Sequence, residues 1–266
     1  MAKRDPRSAS ATLGQVGFLA RRSVVRVIRQ PIMIVPSLTF PLILLAVNSS
    51  GLAAATSLPG FPTDTYLTFA IAFAFMQGAM FATINGGQAL AEDIQKGFFN
   101  RLQLTPLRGP ALLAGHLAGV VALGLVQAVV FLAVGLIAGG TFAAGPAGVA
   151  VLLALSVLIS TAFGSVGLFL GLRTGSAEAV QGMFPLLFIL LFFSSMALPR
   201  DLIANGWFRT IADWNPITYM LEGIRSLFIA GWDGEALGLA FVIAAAILGA
   251  GVGTSSALLR ERMVRT

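Results

Sequence analysis

The sequence predicts an all-α integral membrane protein with six transmembrane helices, and three observations lead there. Hydrophobic residues make up 57% of the 266 and charged residues only 11%, where soluble domains carry about 25% charged residues. Six continuously apolar stretches each supply the roughly 20 helical residues that a hydrocarbon core about 30 Å thick requires. Lysine and arginine are unevenly divided between the connections, which is how such chains encode orientation. Helices are preferred over a β-barrel, because these six runs are continuously apolar whereas barrel strands alternate over about ten residues and need polar lumen faces.

The first thirty residues carry Lys3, Arg4, Arg7, Arg21, Arg22, Arg26 and Arg29 and lack the apolar core and cleavage site of a secretory signal peptide. Residues 13–30 read as an amphipathic helix lying at the membrane surface. At helical periodicity Leu13, Val16, Ala20, Val24 and Val27 share one sector and the four later arginines another, with Phe18 and Val25 against the pattern. Pro31 then breaks this helix from the first span. The spans are expected at residues 32–55, 66–90, 111–139, 147–172, 179–198 and 236–259. Residues 1–30 thus form an N-terminal segment, 31–259 one membrane domain and 260–266 a tail. Those seven basic residues share a side with Lys96, Arg101, Arg108, Arg173, Arg260, Arg262 and Arg265, against Arg200, Arg209 and Arg225 on the other. Both termini are therefore expected in the cytoplasm. Glycine pairs at four-residue spacing, Gly135 with Gly139, Gly167 with Gly171 and Gly249 with Gly253, suit close helix approach. No internal repeat or inverted pattern of broken helices is visible.

Several chemistries are excluded by composition. Without cysteine there are no disulfides, thiolate metal sites or thiol nucleophiles. The only lysines are Lys3 and Lys96, and neither lies in the glycine-rich setting of a phosphate-binding loop. Any ATP that drives this chain is bound by another polypeptide, so no cofactor is expected here. The sole histidine, His116, has no second histidine to share a metal and is expected to be packed or hydrogen-bonded. Asp64, Glu92, Asp93 and Glu178 are the only acids between residues 32 and 198 and fall at span ends or in loops, which argues against a proton relay. The net charge of +6 is topological and calls for no nucleic acid.

Two connections stand out. Residues 91–108 mix charge with the apolar Phe98, Phe99, Leu102 and Leu104, the face that a partner's groove would accept. Residues 199–235 hold Trp207, Phe208, Ile211, Trp214, Ile217, Tyr219, Met220 and Leu221 among turn and charged residues. Asn215-Pro216 starts a helix there, since proline suits a first helical turn. Short helices dipping into the outer leaflet are expected, and no seventh span.

These patterns resemble the permeases of ABC-2 type exporters. Glu92, Gly97, Leu102, Thr105 and Pro106 follow the family's motif after the second span, and Asn215, Pro216, Thr218, Tyr219, Glu222 and Arg225 its Asn-Pro-x-Thr-Tyr-x-x-Glu-x-x-Arg pattern. The likeness covers nearly the whole chain and is greatest to daunorubicin-resistance-type drug-export permeases, with Asp93 standing where a basic residue is common. It implies the type V (ABCG-like) exporter fold, with short re-entrant helices before the last span. It also implies a second permease chain, identical or a sister, and two separate nucleotide-binding ATPase subunits holding ATP and magnesium. The coupling contacts would be Glu92, Asp93, Gly97, Phe98, Phe99, Arg101, Leu102 and Pro106.

In that architecture the second and fifth spans line a central pathway. Phe69, Phe73, Met76 and Met80 form one stripe, and Phe184, Phe188 and Phe192 another. Both suit a hydrophobic or amphipathic cargo, drug-like or lipid, through plastic apolar packing. A lipid-linked polysaccharide permease of the same superfamily remains the alternative, told apart by a polar channel lining. A self-sufficient carrier or membrane enzyme would need intramembrane acids or a metal cluster. The plasma membrane of a bacterial cell is the expected location, and the excess of arginine over lysine fits a GC-rich genome.

Overall fold

The computed structural model describes residues 6–29, 31–97 and 109–264, which contain helix and no strand. Among the described residues ten α-helices follow in order: α1 (Pro6–Arg29), α2 (Pro31–Gly51), α3 (Tyr66–Gln95), α4 (Gly109–Ile137), α5 (Gly145–Thr174), α6 (Ala177–Gly182), α7 (Phe184–Phe192), α8 (Gly206–Trp214), α9 (Pro216–Ile229) and α10 (Gly234–Val264). Among the described residues five stretches are long and apolar enough to cross a membrane: Ile34–Gly51, Tyr66–Gln95, Ala111–Ile137, Gly145–Thr174 and Gly234–Glu261.

The stretch expected as a fifth crossing differs. It is two short helices, α6 and α7, that together run from Ala177 to Phe192. Pro185 cannot donate to the carbonyl four residues back and its ring crowds that turn, so the helix breaks at Gly182 and Met183. Residues 193–199 leave the helix, and the chain turns back through Arg200–Leu202 into α8.

Helix α3 is the axis of the chain. Its side chains are buried along almost the whole length, and α2, α4, α5, α6 and α9 pack around it. The closest crossing is with α5, where glycines let the backbones meet. A Cβ at Gly167 would run into the Thr83 carbonyl, and one at Gly171 into that of Gly87. The Thr83 hydroxyl donates to the Phe163 carbonyl across the same seam, at 3.0 Å. Of the other expected pairs, Gly249 and Gly253 face open space, while Gly135 accommodates the Ile71 side chain. Gly167→Ala is accordingly expected to destabilise the chain by about 1–3 kcal/mol through overpacking. Gly253→Ala should be neutral or stabilising by up to about 1 kcal/mol, since it only adds helix propensity. Thermal stability of the purified chain in detergent distinguishes the two, and equal midpoints would sink the assignment.

Prolines inside α2 are tolerated for an identifiable reason. Pro41 leaves the Ser37 carbonyl without its helical donor, and the Gln127 side chain of α4 supplies one at 3.3 Å. Backbone groups freed in an apolar surround need such a substitute.

The N-terminal helix α1 packs along α4, with Leu19 and Ser23 seated over Gly115 and Gly119. Leu19 is buried while Phe18 is exposed. The apolar sector expected from periodicity did not include Leu19, because the groove that receives it lies on a helix ninety residues away.

Candidate functional site

Two charged clusters mark opposite ends of α3. The first forms where α3 ends and the 98–108 connection begins. Asp93 is nearly enclosed and faces three cationic or polar donors: Arg22 at 3.0 Å, Arg26 at 3.7 Å and the His116 ring at 3.3 Å. Glu92 accepts from Arg26 at 2.7 Å and from Lys96 at 2.9 Å. Arg26 also reaches the Ala89 carbonyl at 3.4 Å. A single junction thus joins α1, α3 and α4, and it uses the two arginines of α1 that lie one turn apart on the α3 side.

Gly97 ends the helix in the left-handed conformation, φ +67°, which costs glycine nothing and other residues dearly. The expected coupling residues Glu92, Asp93 and Gly97 are thereby brought to one place. Phe98, Phe99, Arg101, Leu102, Thr105 and Pro106 lie outside the described residues. Sequence reasoning did not foresee that Arg22, Arg26 and His116 belong to this junction. The only available signal was that two adjacent acids close an otherwise apolar span and need partners.

The second cluster is built by the segment between α7 and α10. Asn215 caps α9 by accepting from the Ile217 N–H at 3.0 Å, and its amide donates to the Leu190 and Phe193 carbonyls at 2.6 and 3.0 Å. It thereby fastens the frayed end of α7 to the start of α9. The Tyr219 hydroxyl donates to the Asp213 carbonyl at 2.7 Å and holds α8 against α9. Glu222 receives Arg200 as a two-pronged pair at 2.8 and 2.7 Å, and the Ser195 hydroxyl at 3.2 Å. Burial alone would lower the Arg200 pKa, but Glu222, Tyr219 and Asp213 outweigh it and hold the guanidinium above its ordinary value. Arg200 was counted in the sequence only as an external charge, since nothing local pairs it with Glu222.

Arg225 is buried, at 6% exposure. It lies over the Phe69 ring at 3.6 Å to the centroid and donates to the Phe69, Ser195 and Met196 carbonyls at 3.1, 3.0 and 3.3 Å. Burial pushes its pKa down to about 10, with Glu222 and Tyr66 opposing, so it remains charged at neutral pH. The Tyr66 hydroxyl adds a bond to the Ala197 carbonyl at 2.8 Å. Asn215, Glu222 and Arg225 therefore share one task in this structure, which is tying the irregular 193–199 segment to α3 and α9, while Tyr219 fixes α8 beside it. Pro216 opens α9 in its first turn. Arg200, Asp213, Tyr219, Glu222 and Arg225 also line a cavity of about 640 Å³ that opens at this end.

The residues expected along a pathway divide. Phe69, Phe73, Met76 and Met80 are 0–2% exposed and belong to the chain's own core, so the second-span stripe opens onto no surface in this conformation. Phe184, Phe188 and Phe192 instead continue into a ladder of rings with Phe40 of α2 and Phe81 of α3. Successive centroids lie 4.9 to 6.2 Å apart, and Phe40 and Phe192 are open to the surroundings. The helical period puts the α3 stripe on one face, but nearly every side chain of α3 is buried. It could not say that the face meets other helices of the same chain.

Residues 14–229 match the sequence profile described as ABC-2 type transporter. Over 196 residues the chain is 32% identical to the daunorubicin resistance ABC transporter permease protein DrrB1 of Streptomyces coeruleorubidus. That alignment covers 70% of this chain and 66% of the relative, slightly less than two thirds of its length.

Proposed function

Since the chain belongs to the ABC-2 type transporter family, we propose that it is the membrane permease subunit of an ATP-driven exporter. It works as one of two permease chains, identical or sister, bound to two separate nucleotide-binding subunits that hold ATP and magnesium. The observation that carries this reading is the ion-paired junction at Glu92 and Asp93, which sits immediately before the 98–108 connection. A motor pressing on that connection moves α1, α3 and α4 together, because Arg22, Arg26 and His116 bind them at one point. As α3 is the axis around which the other helices pack, the push reaches the far end of the bundle. Two discrete packings, biased by the state of the motor, make this a two-state device.

In this reading α6 and α7 make the fifth of six crossings, and α8 and α9 dip into the outer leaflet. Both termini then lie in the cytoplasm of a bacterial-type cell with the chain in its plasma membrane. The cargo is hydrophobic or amphipathic, drug-like or lipid. Support comes from the phenylalanine ladder, open at Phe40 and Phe192, whose rings accept variably shaped apolar molecules by dispersion, and from the drug-resistance name of the relative. The buried α3 stripe contributes to the path in a conformation where α3 parts from its neighbours.

The test is reconstitution in liposomes with the cognate nucleotide-binding subunit. Outward movement of a lipophilic fluorescent probe is expected only with ATP and both subunits, and hydrolysis is expected to be absent from the chain alone. Transport by the chain without any ATPase would overturn the proposal.

A further inference from the structure

Gln77 stands in the middle of α3 with its side chain wholly enclosed, at 0% exposure. Among the described residues neither its amide oxygen nor its amide nitrogen has a hydrogen-bond partner. A primary amide offers two donors and an oxygen with two lone pairs, and leaving them unpaired away from water is costly. The large majority of buried polar side-chain atoms do have a partner, so an orphaned pair calls for a reason. Gln127 shows the contrast. Its amide nitrogen replaces the donor that Pro41 removes from α2, whereas Gln77 repairs no backbone.

The surroundings of Gln77 supply a reason. The helical period puts it within about 40° of Ala70, Phe81 and Gln88 around α3, and this sector meets α2, α6 and α7. Phe81 packs against Phe40 of α2 and Phe184 of α7, at 6.2 and 5.1 Å between ring centroids. Gln88 bonds Gln181 of α6. Phe40 in turn meets Phe188 of α7 at 5.9 Å. Gln77 thus lies one helical turn from the ring that α3 gives to the phenylalanine ladder, on the face over which that ladder is laid. Small-molecule sites are built this way, mostly apolar with a few polar groups that orient the ligand.

Charge narrows what such a ligand can be. Helices α2 and α7 carry no ionisable side chain, and α3 carries none from Leu67 to Ala91. A charged group brought here would lose its hydration with nothing to compensate it. One amide also falls far short of the many hydroxyls of a sugar chain.

We propose that Gln77 is the specificity-determining residue of the phenylalanine ladder. Its amide hydrogen-bonds a single neutral polar group, an amide or a hydroxyl, on an otherwise apolar cargo held among Phe40, Phe81, Phe184 and Phe188. Movement of the Phe40 and Phe188 rings admits the cargo, which replaces their contact with its own. That the bound molecule is then exported rests on the function proposed above, whereas its binding does not.

The test uses the full chain alone in lipid nanodiscs and two probes that differ in one group, 1-methylpyrene and 1-pyrenecarboxamide. Saturable energy transfer to pyrene from the chain's three tryptophans reports binding, with the signal of empty nanodiscs subtracted. Relative to its partition into the lipid, the carboxamide should bind about tenfold more tightly than the hydrocarbon, the worth of one well-made hydrogen bond. Gln77→Met keeps the length of the side chain and removes the amide. It should erase the preference, while the melting temperature holds or rises because no native bond is lost. Phe188→Ala should weaken both probes. Equal binding of the two probes by the parent, or no saturable binding of either, would overturn the proposal. So would a preference that survives in Gln77→Met, an unchanged affinity in Phe188→Ala, or a lower melting temperature in Gln77→Met, which would mean that the amide serves the fold. No nucleotide or second subunit enters this assay, so the preference can fail with ATP-driven transport intact, and transport can fail with the preference intact.

Discussion

Replacing Arg225 with alanine should cost the chain about 3–5 kcal/mol, near the top of the range for single substitutions. The Phe69, Ser195 and Met196 carbonyls all accept from this one guanidinium. The Phe69 carbonyl keeps its helical donor within α3, but those of Ser195 and Met196 lie in irregular backbone, and each acceptor left unpaired away from water costs about 1–3 kcal/mol. The cation's contact with the Phe69 ring is lost as well. Arg225→Lys should recover only part of the loss, because a point ammonium cannot reproduce a planar fork that serves α3 and the 193–199 segment at once. The expected result is a sharp fall in the monodisperse fraction after heating in detergent, with alanine worse than lysine. An alanine variant within 1 kcal/mol of the parent would mean that the 193–199 backbone is held by other means.

The second large effect is expected at Asp93. Removing a partner from a fully enclosed ion pair typically costs about 3–5 kcal/mol. Asp93 is enclosed but Arg22 is 36% exposed, so the loss should fall below that range because water reaches the arginine left behind. Asp93→Ala leaves Arg22, Arg26 and His116 without their shared acceptor. Glu92 keeps Arg26 on α3, while the direct contacts of Arg22 and His116 with residue 93 are lost. Faster hydrogen exchange along α1 and loss of permease-dependent ATP hydrolysis in the reconstituted complex are the expected readouts. Lys96→Ala serves as the control: its side chain is 68% exposed and it pairs with Glu92 one turn away, a geometry worth about 0.3–0.5 kcal/mol. If the two variants behaved alike, the junction would not be a coupling element.

The two glycine seams show how far sequence could go. Gly167 and Gly171 were visible as a spaced pair, but so were Gly249 and Gly253, and only the first pair meets a backbone. Gly115 and Gly119, which seat Leu19 and Ser23 of α1, went unnoticed because their partner is distant in sequence. Asn215-Pro216 was legible as a helix start, since capping is local. The further reach of Asn215 to Leu190 and Phe193 was not. Likewise, the aromatic residues of the fifth stretch were readable, but their union with Phe40 and Phe81 required three helices in place.

Apolar run length, the division of basic residues and the turn-forming dipeptides are properties of short segments. They determined by themselves that this chain is helical and lipid-solvated, where most helices begin, and which motifs it carries. Which charges meet, which glycines touch, and which phenylalanines are core rather than surface were decided only by the folded arrangement. The reason is that lipid-facing and helix-facing surfaces in a membrane call for the same apolar side chains, so neither composition nor periodicity can tell them apart. A buried charge such as Asp93 or Arg225 is identified by partners that lie in other helices.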